Sequence, residues 1–242
     1  MERAVYDHMA AIDEIHWWFT ARRKILDKVI RTQINPSPGA KILEVGCGTG
    51  SNLPLLKGFG EVEAIEPDDA ARELAIRRGG VPIQGGLLPD GVTLADNAFD
   101  LIAMLDVLEH IPGDRPALEA LLPKLRKQGR LLLTVPAIPW LWSAHDEAHH
   151  HQRRYTGWSL AKVVTESGYR IRYQSHFNTV LLPLVVLARL VGKLTGKEGG
   201  DDAMPPAALN TMLAATFAAE SAWLGRFSFP IGVSLIVVAE PA

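Results

Sequence analysis

The sequence predicts an α/β protein built on a mostly parallel sheet with helices on both faces. Three observations lead there. Short stretches rich in Val, Ile and Leu alternate with amphipathic stretches along most of the 242 residues. That alternation is the signature of strands connected through covering helices. The first apolar stretch also runs directly into a glycine cluster, Gly46, Gly48 and Gly50, followed by a helical pattern. The length suits one large domain with a sizeable core.

The elements follow in order. Residues 1–36 read as two helices, with Ile25, Leu26, Val29 and Ile30 forming a helical stripe. "AKILEV" is the first strand. "EVEAI" is the second, and a helix opens behind it at Pro67-Asp68-Asp69 and stops at Gly79-Gly80. "VPIQGG" is the third strand and "FDLIAMLDVLEHI" carries the fourth, with "RPALEALLPKLRKQG" a helix behind it. "GRLLLTVPAI" is the fifth, "SLAKVVTESG" a helix, "YRIRYQSHF" the sixth, and "VSLIVVAE" the seventh. An insertion at 178–226 separates the last two. Leu184, Leu187, Val191 and Leu194 recur there at helical spacing, with Arg189, Lys193 and Lys197 on another face. Gly199-Gly200-Asp201-Asp202 and Pro205-Pro206 break that helix, and "LNTMLAATFAAESAWLG" makes a second. The expected organisation is a single domain: a helical cap (1–36), a core (37–177), a helical insertion (178–226) and the last strand (227–242).

Composition excludes several classes. Net charge is −2, so no strong basic field exists to hold nucleic acid. The single cysteine, Cys47, excludes a disulfide within the chain and a cysteine-built zinc site. Glu2, Asp7, Asp13 and Glu14 interrupt the first residues, which do not read as a signal peptide. The longest apolar run, "VLLPLVVLA" at 180–188, is too short to span a bilayer. The expectation is a cytoplasmic protein, with 178–226 as the segment that would touch a membrane surface or a second copy of the chain.

The glycine turn carries the chemistry. Glycine lets the backbone turn sharply and approach a ligand, and the following helix aims free N–H groups at it. Glu66 lies about twenty residues on, at the predicted end of the second strand, where a carboxylate accepts hydrogen bonds from ribose hydroxyls. Glycines and a spaced acid within one βαβ unit point to a nucleoside-containing cofactor. The spacing here is G-x-G-x-G preceded by Glu44, not the G-x-G-x-x-G of a pyrophosphate binder.

"LEVGCGTG" resembles the first motif of class I S-adenosylmethionine-dependent methyltransferases. "FDLIAMLDVLEHI" and "GRLLLTVP" are similar to that family's fourth and fifth strand segments. The resemblance covers about 38–170 and the final strand. It implies the Rossmann-like fold of the class, seven-stranded with an antiparallel last strand. It implies S-adenosylmethionine as cofactor, with Glu44, Gly46, Cys47 and Gly48 at its methionine half. Glu66 would hold the ribose, Pro67 would pack by the adenine, and Leu105 and Asp106 would face the sulfonium. Many relatives carry an Asp after the third strand; here Gly86 and Leu87 stand in its place and would contact the adenine through backbone atoms.

Two further motifs, "EIHWWFTARR" and "HDEAHHHQRRYT", resemble a bacterial methyltransferase subgroup often found beside lipid or polysaccharide genes. In the first, Trp17, Trp18 and Phe19 would wall the cofactor pocket or form a helix-packing cluster, and Arg22 or Arg23 would pair with the cofactor carboxylate. The second holds His145, His149, His150 and His151, and follows the fifth strand, where substrate should arrive. It reads as a substrate lid, against a metal site at His145, Asp146 and His149 or a merely polar loop. No metal is assigned, because a sulfonium is already an activated methyl donor. His151 is the leading base, with His145 and His110 as further catalytic candidates. Arg153, Arg154 and Tyr155 would bind substrate, unless either arginine bridges to Asp146 or Glu147.

The function these readings imply is methyl transfer from S-adenosylmethionine to an oxygen or nitrogen of a small molecule, lipid- or glycan-linked where the aliphatic insertion contributes. The alternatives are a non-catalytic protein that binds the cofactor and a nicotinamide-dependent oxidoreductase. No Tyr-x-x-x-Lys pair supports the latter.

Overall fold

The computed structural model describes residues 3–195 and 203–242. Its centre is a seven-stranded sheet of order β3-β2-β1-β4-β5-β7-β6. The strands are β1 (Ala40–Val45), β2 (Gly60–Ile65), β3 (Ile83–Gln84), β4 (Phe99–Leu105), β5 (Leu125–Pro136), β6 (Tyr169–Phe177) and β7 (Ser234–Pro241). All run parallel except β7, which is antiparallel to both neighbours. The helices are α1 (Arg3–Ile12), α2 (Trp17–Val29), α3 (Leu53–Lys57), α4 (Asp69–Gly79), α5 (Asp114–Leu121), α6 (Ala144–Ala148), α7 (Gly157–Glu166), α8 (Leu182–Thr195) and α9 (Ala207–Ala219).

Successive strand residues point to opposite faces, so each apolar strand feeds two cores. Ile42, Leu101, Leu132 and Ile236 pack with Ile25, Leu26, Val29 and Phe217 of α2 and α9. Leu43, Ile102, Leu133 and Val237 pack with Leu118, Leu121, Leu160 and Val164 of α5 and α7. Strand order reverses between β1 and β4, which opens a crevice beyond their carboxyl ends.

Local chemistry ends the elements where expected at several points. Asp68 caps α4 by accepting from the backbone N–H groups of Ala70 and Ala71, and Gly80 closes it at φ 60°. Elsewhere the structure corrects the expectation. The helix expected over "RPALEALLPKLRKQG" stops at Leu121; Pro123 sits in a 3₁₀ turn, and Leu125 already opens β5 opposite Phe99. Proline cannot donate to a continuing helix, and burial of Leu125 rewards the strand. The strand expected over "VPIQGG" shrinks to two residues, because the chain leaves the ladder at Gly85 and Gly86. The histidine loop contains a short helix, α6, capped by a reciprocal pair: Asp146 accepts from the Ser143 N–H, and the Ser143 side chain caps in return.

The two segments outside the β–α alternation pack on each other. Asn210 of α9 accepts from the Trp17 N–H and donates to the Ile15 carbonyl, both at 2.8 Å. Trp17 and Phe217 meet edge-on at 5.9 Å. On α8, Leu187, Leu190, Val191 and Leu194 are exposed. Of the basic stripe expected beside them, only Arg189 has a described side chain. Arg189 turns inward to the Ser143 hydroxyl, and Lys197 lies outside the described residues. Among the described residues no helix is long and apolar enough to cross a membrane.

Candidate active site

A cavity of about 730 Å³ lies beyond the carboxyl ends of β1, β2 and β4, beneath residues of α1, α2, α8 and α9. At one end stands the glycine turn. Gly46 and Cys47 donate to the Ile65 carbonyl at 2.8 and 3.1 Å, which ties the turn to the end of β2. Gly46 (φ 68°) is needed for packing, since a Cβ there would lie 2.7 Å from a Val107 methyl carbon. Gly48 (φ 55°) has nothing within 4 Å of the corresponding point, so it leaves room beside the cavity. Its N–H donates to Glu66 Oε2 at 2.7 Å, while Glu66 Oε1 accepts from the Asp68 N–H at 3.0 Å and from the Tyr6 hydroxyl at 3.4 Å. Burial raises the Glu66 pKa, and the two backbone donors oppose that rise.

Cys47, Pro67, Gly86, Leu87 and Leu105 all line this end. Glu44 does not. It is buried behind the wall, accepting from Asn52 Nδ2 at 3.0 Å, and burial pushes its carboxyl up to about 7. Asn52, which sequence reading missed, is the residue that lines the cavity in front of it. Arg22 lies 2.6 Å from Asp106 and 3.0 Å from the Thr134 hydroxyl, with its guanidinium 5.0 Å from the Trp18 ring centre. Asp106 holds φ 59°, a left-handed conformation uncommon for a non-glycine residue. Trp17, Trp18 and Phe19 line the cavity, and Trp17 and Trp18 also make edge-on contacts with Phe217 and Phe19. Arg23 points elsewhere, donating to the Asp13 carbonyl.

The other end is a wall of imidazoles. His110, His145, His149 and His151 line it with Glu109 and Arg154. His110 and His151 meet edge-on at 4.6 Å, and His145 stacks on His149 at 4.1 Å. His151 Nδ1 sits 2.9 Å from Asp146, whose carboxylate also takes two hydrogen bonds from Arg154 at 2.7 and 2.9 Å. Burial would raise the Asp146 carboxyl, but hydrogen bonds from His151 and Arg154 outweigh it and hold the group far below the usual carboxylate range. An ionised Asp146 fixes the His151 proton on Nδ1. Burial lowers His151, with Asp146 partly opposing. Burial, with His151 and His149 close by, takes His110 down to about 3, so its ring is neutral at ordinary pH. Leu181, with Leu184, Val185 and Ala188 of α8 and Leu213 of α9, adds an aliphatic wall to the same cavity.

Two expected substrate contacts are corrected. Arg153 lies 3.0 Å from Asp114 and donates to the Pro112 carbonyl. The Tyr155 hydroxyl donates to the same Asp114. Both side chains serve this anchor between α5 and the loop, and neither lines the cavity. Arg154 does line it, with its guanidinium committed to Asp146 and the Ala137 carbonyl. Glu109 was missed because its neighbours in "DVLEHI" read as the tail of an apolar strand. The bend after β4 turns it inward.

Residues 17–174 match a family model described as a methyltransferase domain. Over 129 residues the chain is 30% identical to the mitochondrial ubiquinone biosynthesis O-methyltransferase of Schizosaccharomyces pombe, an overlap of 50% of this chain and 46% of that protein. The chain thus matches less than half the length of that relative. Among solved structures, an S-adenosylmethionine-dependent methyltransferase from Mesorhizobium loti superimposes with a TM-score of 0.60 at 14% identity, covering 87% of this chain and 95% of that one. Phosphoethanolamine N-methyltransferase 2 of Haemonchus contortus, solved with S-adenosylmethionine, gives 0.58 at 13% identity over 89% of this chain and 52% of the other. At such identities the structural likeness is one of fold.

Proposed function

The chain belongs to the methyltransferase-domain family, and on that premise we propose that it moves the methyl group of S-adenosylmethionine to an oxygen or nitrogen of a small amphiphilic molecule. One observation carries this reading: Glu66, anchored on the Gly48 N–H, opens on the same cavity as the histidine wall. The residues fit the cofactor. Gly48 leaves backbone room, and Glu66 offers a carboxylate to a ribose. Pro67, Gly86 and Leu87 border the far side, while Trp18, Arg22, Leu105 and Asp106 flank the path toward the histidines. Gly46 and Cys47 hold the turn, and Glu44 acts through Asn52. When bound, the sulfonium supplies an activated methyl group and its sulfur keeps the electron pair on release.

The chain's own residues then bind, orient and accept a proton. Holding nucleophile and methyl carbon in line supplies much of the rate. The nucleophile sheds a proton as it is methylated, and the wall of His110, His145 and His151, with His149, stands where that proton leaves. His110, held at about 3, is too weak a base to keep that proton, which leaves the other imidazoles of the wall. The aliphatic wall on α8 and α9 favours an acceptor with an apolar part, and the exposed leucines on the outer face of α8 would meet a membrane surface or a second copy. The name of the yeast relative places an O-methyltransferase in ubiquinone biosynthesis, which supports an oxygen acceptor.

The test uses methyl-labelled cofactor and a cell extract. Label is expected in the organic-soluble fraction. Val185→Trp, which fills the aliphatic wall, should block that transfer while S-adenosylhomocysteine still binds. Tight binding with no label transferred to any fraction would leave a non-catalytic binder.

A further inference from the structure

We propose that the histidine wall holds a divalent transition-metal ion, zinc by preference, on Glu109, His110 and His151. Each offers one ligand atom, and the three atoms lie within 4.8 Å of one another. Two ligand atoms about 2 Å from a shared ion stand roughly 3.3 Å apart, so small side-chain rotations close the site. Two histidines and one carboxylate with an open position make a recognised ligand set for such ions. The reading of the sequence considered His145, Asp146 and His149 as ligands and assigned no metal; the fold brings together a different set.

Three observations support it independently of the spacing. Glu109 is fully buried, lines the cavity, and neither of its carboxylate oxygens has a hydrogen-bond partner. A carboxylate in that state costs folding energy unless a cation or a proton meets it. The second nitrogen of one of the histidines is also occupied in the way metal ligands require. This is seen at His151, which gives Nδ1 to Asp146. Such outer partners fix the ring orientation and leave the remaining nitrogen for an ion. Asp146 is itself pinned by Arg154 and by the Ser143 N–H, so the support is rigid.

The site deepens the methyl-transfer reading, since its open positions face the acceptor end of the same cavity. An acceptor hydroxyl bound there would lose its proton more easily, because the ion stabilises the oxyanion. That proton would pass to the adjacent His145–His149 pair, leaving His110 and His151 as ligands. Metal binding itself is independent of any methyl acceptor, and so is the test.

Zinc chloride is titrated calorimetrically into chelator-stripped protein purified without a metal-affinity tag. One zinc per chain is expected. Glu109→Gln and His151→Ala should each lose it. Asp146→Asn keeps all three ligands and should weaken it about 10–100-fold. His145→Ala should leave it unchanged. Circular dichroism and S-adenosylhomocysteine affinity of each variant report whether the fold and the cofactor end survive. No zinc binding by the wild type would overturn the site. So would binding that survives both Glu109→Gln and His151→Ala, or that disappears with His145→Ala.

Discussion

The two ends of the cavity are built on different principles. At the cofactor end the groups sit on neighbouring strand ends. The pairing of Val45 with Ile65 sets the distance from the glycine turn to Glu66, and backbone N–H groups do much of the holding. At the histidine end Glu109 and His110 follow β4, His145–Arg154 follow β5, and α8 closes over them from a third part of the chain. Side chains do the holding there, centred on the buried Asp146. The first end is a property of the sheet, so it transfers across a family. The second is a property of this chain's loops, and to it we assign the choice of acceptor.

Changes at the cofactor end should break binding most sharply. Gly48→Val places a β-branched residue in a left-handed conformation, at about 1–2 kcal/mol, and fills the room the turn leaves open. S-adenosylhomocysteine binding by calorimetry should fall below detection with the fold retained.

Behind the same end, Glu44 should make stability depend on pH. Its carboxyl titrates at about 7 in the fold, above its ordinary 4.5, so the native state holds the proton more tightly than the unfolded chain. Stability from this group is complete below pH 4.5 and is lost as pH rises to about 7, by on the order of 3 kcal/mol. The change in urea midpoint from pH 5 to pH 8 should be more positive in Glu44→Gln than in the wild type, a difference that separates Glu44 from the other shifted carboxyls and imidazoles.

Glu66→Ala should cost cofactor affinity about 1.5–3 kcal/mol, the range for hydrogen bonds to a charged group. Tyr6→Phe, which removes a long bond at the edge of that carboxylate, should cost no more than about 1 kcal/mol. A larger effect for Tyr6 than for Glu66 would mean that α1, not the sheet, organises the cofactor end.

Legibility in the sequence follows the same division. The strands, the glycine turn and Glu66 can be read because alternation, glycine and strand-end spacing are local facts. The Pro123 turn was local too, yet the three leucines before Leu125, Leu118, Leu121 and Leu122, masked it with a helical pattern. Arg153 and Arg154 show the opposite limit. They are adjacent and chemically alike, yet one serves Asp114 and the other Asp146. Only the path of the loop over α5 and α6 separates them. Glu109 gave no signal, because burial without a partner is invisible until the surrounding walls are in place.

The division of labour between the two ends is tested most directly by a crossed measurement. S-adenosylhomocysteine affinity and label transfer from methyl-labelled cofactor are read in the wild type, Glu66→Ala and His151→Ala. The account predicts that Glu66→Ala weakens binding, and that His151→Ala binds as the wild type does while transfer falls about 10²–10⁴-fold. Transfer unchanged in His151→Ala, or cofactor affinity unchanged in Glu66→Ala, would contradict it.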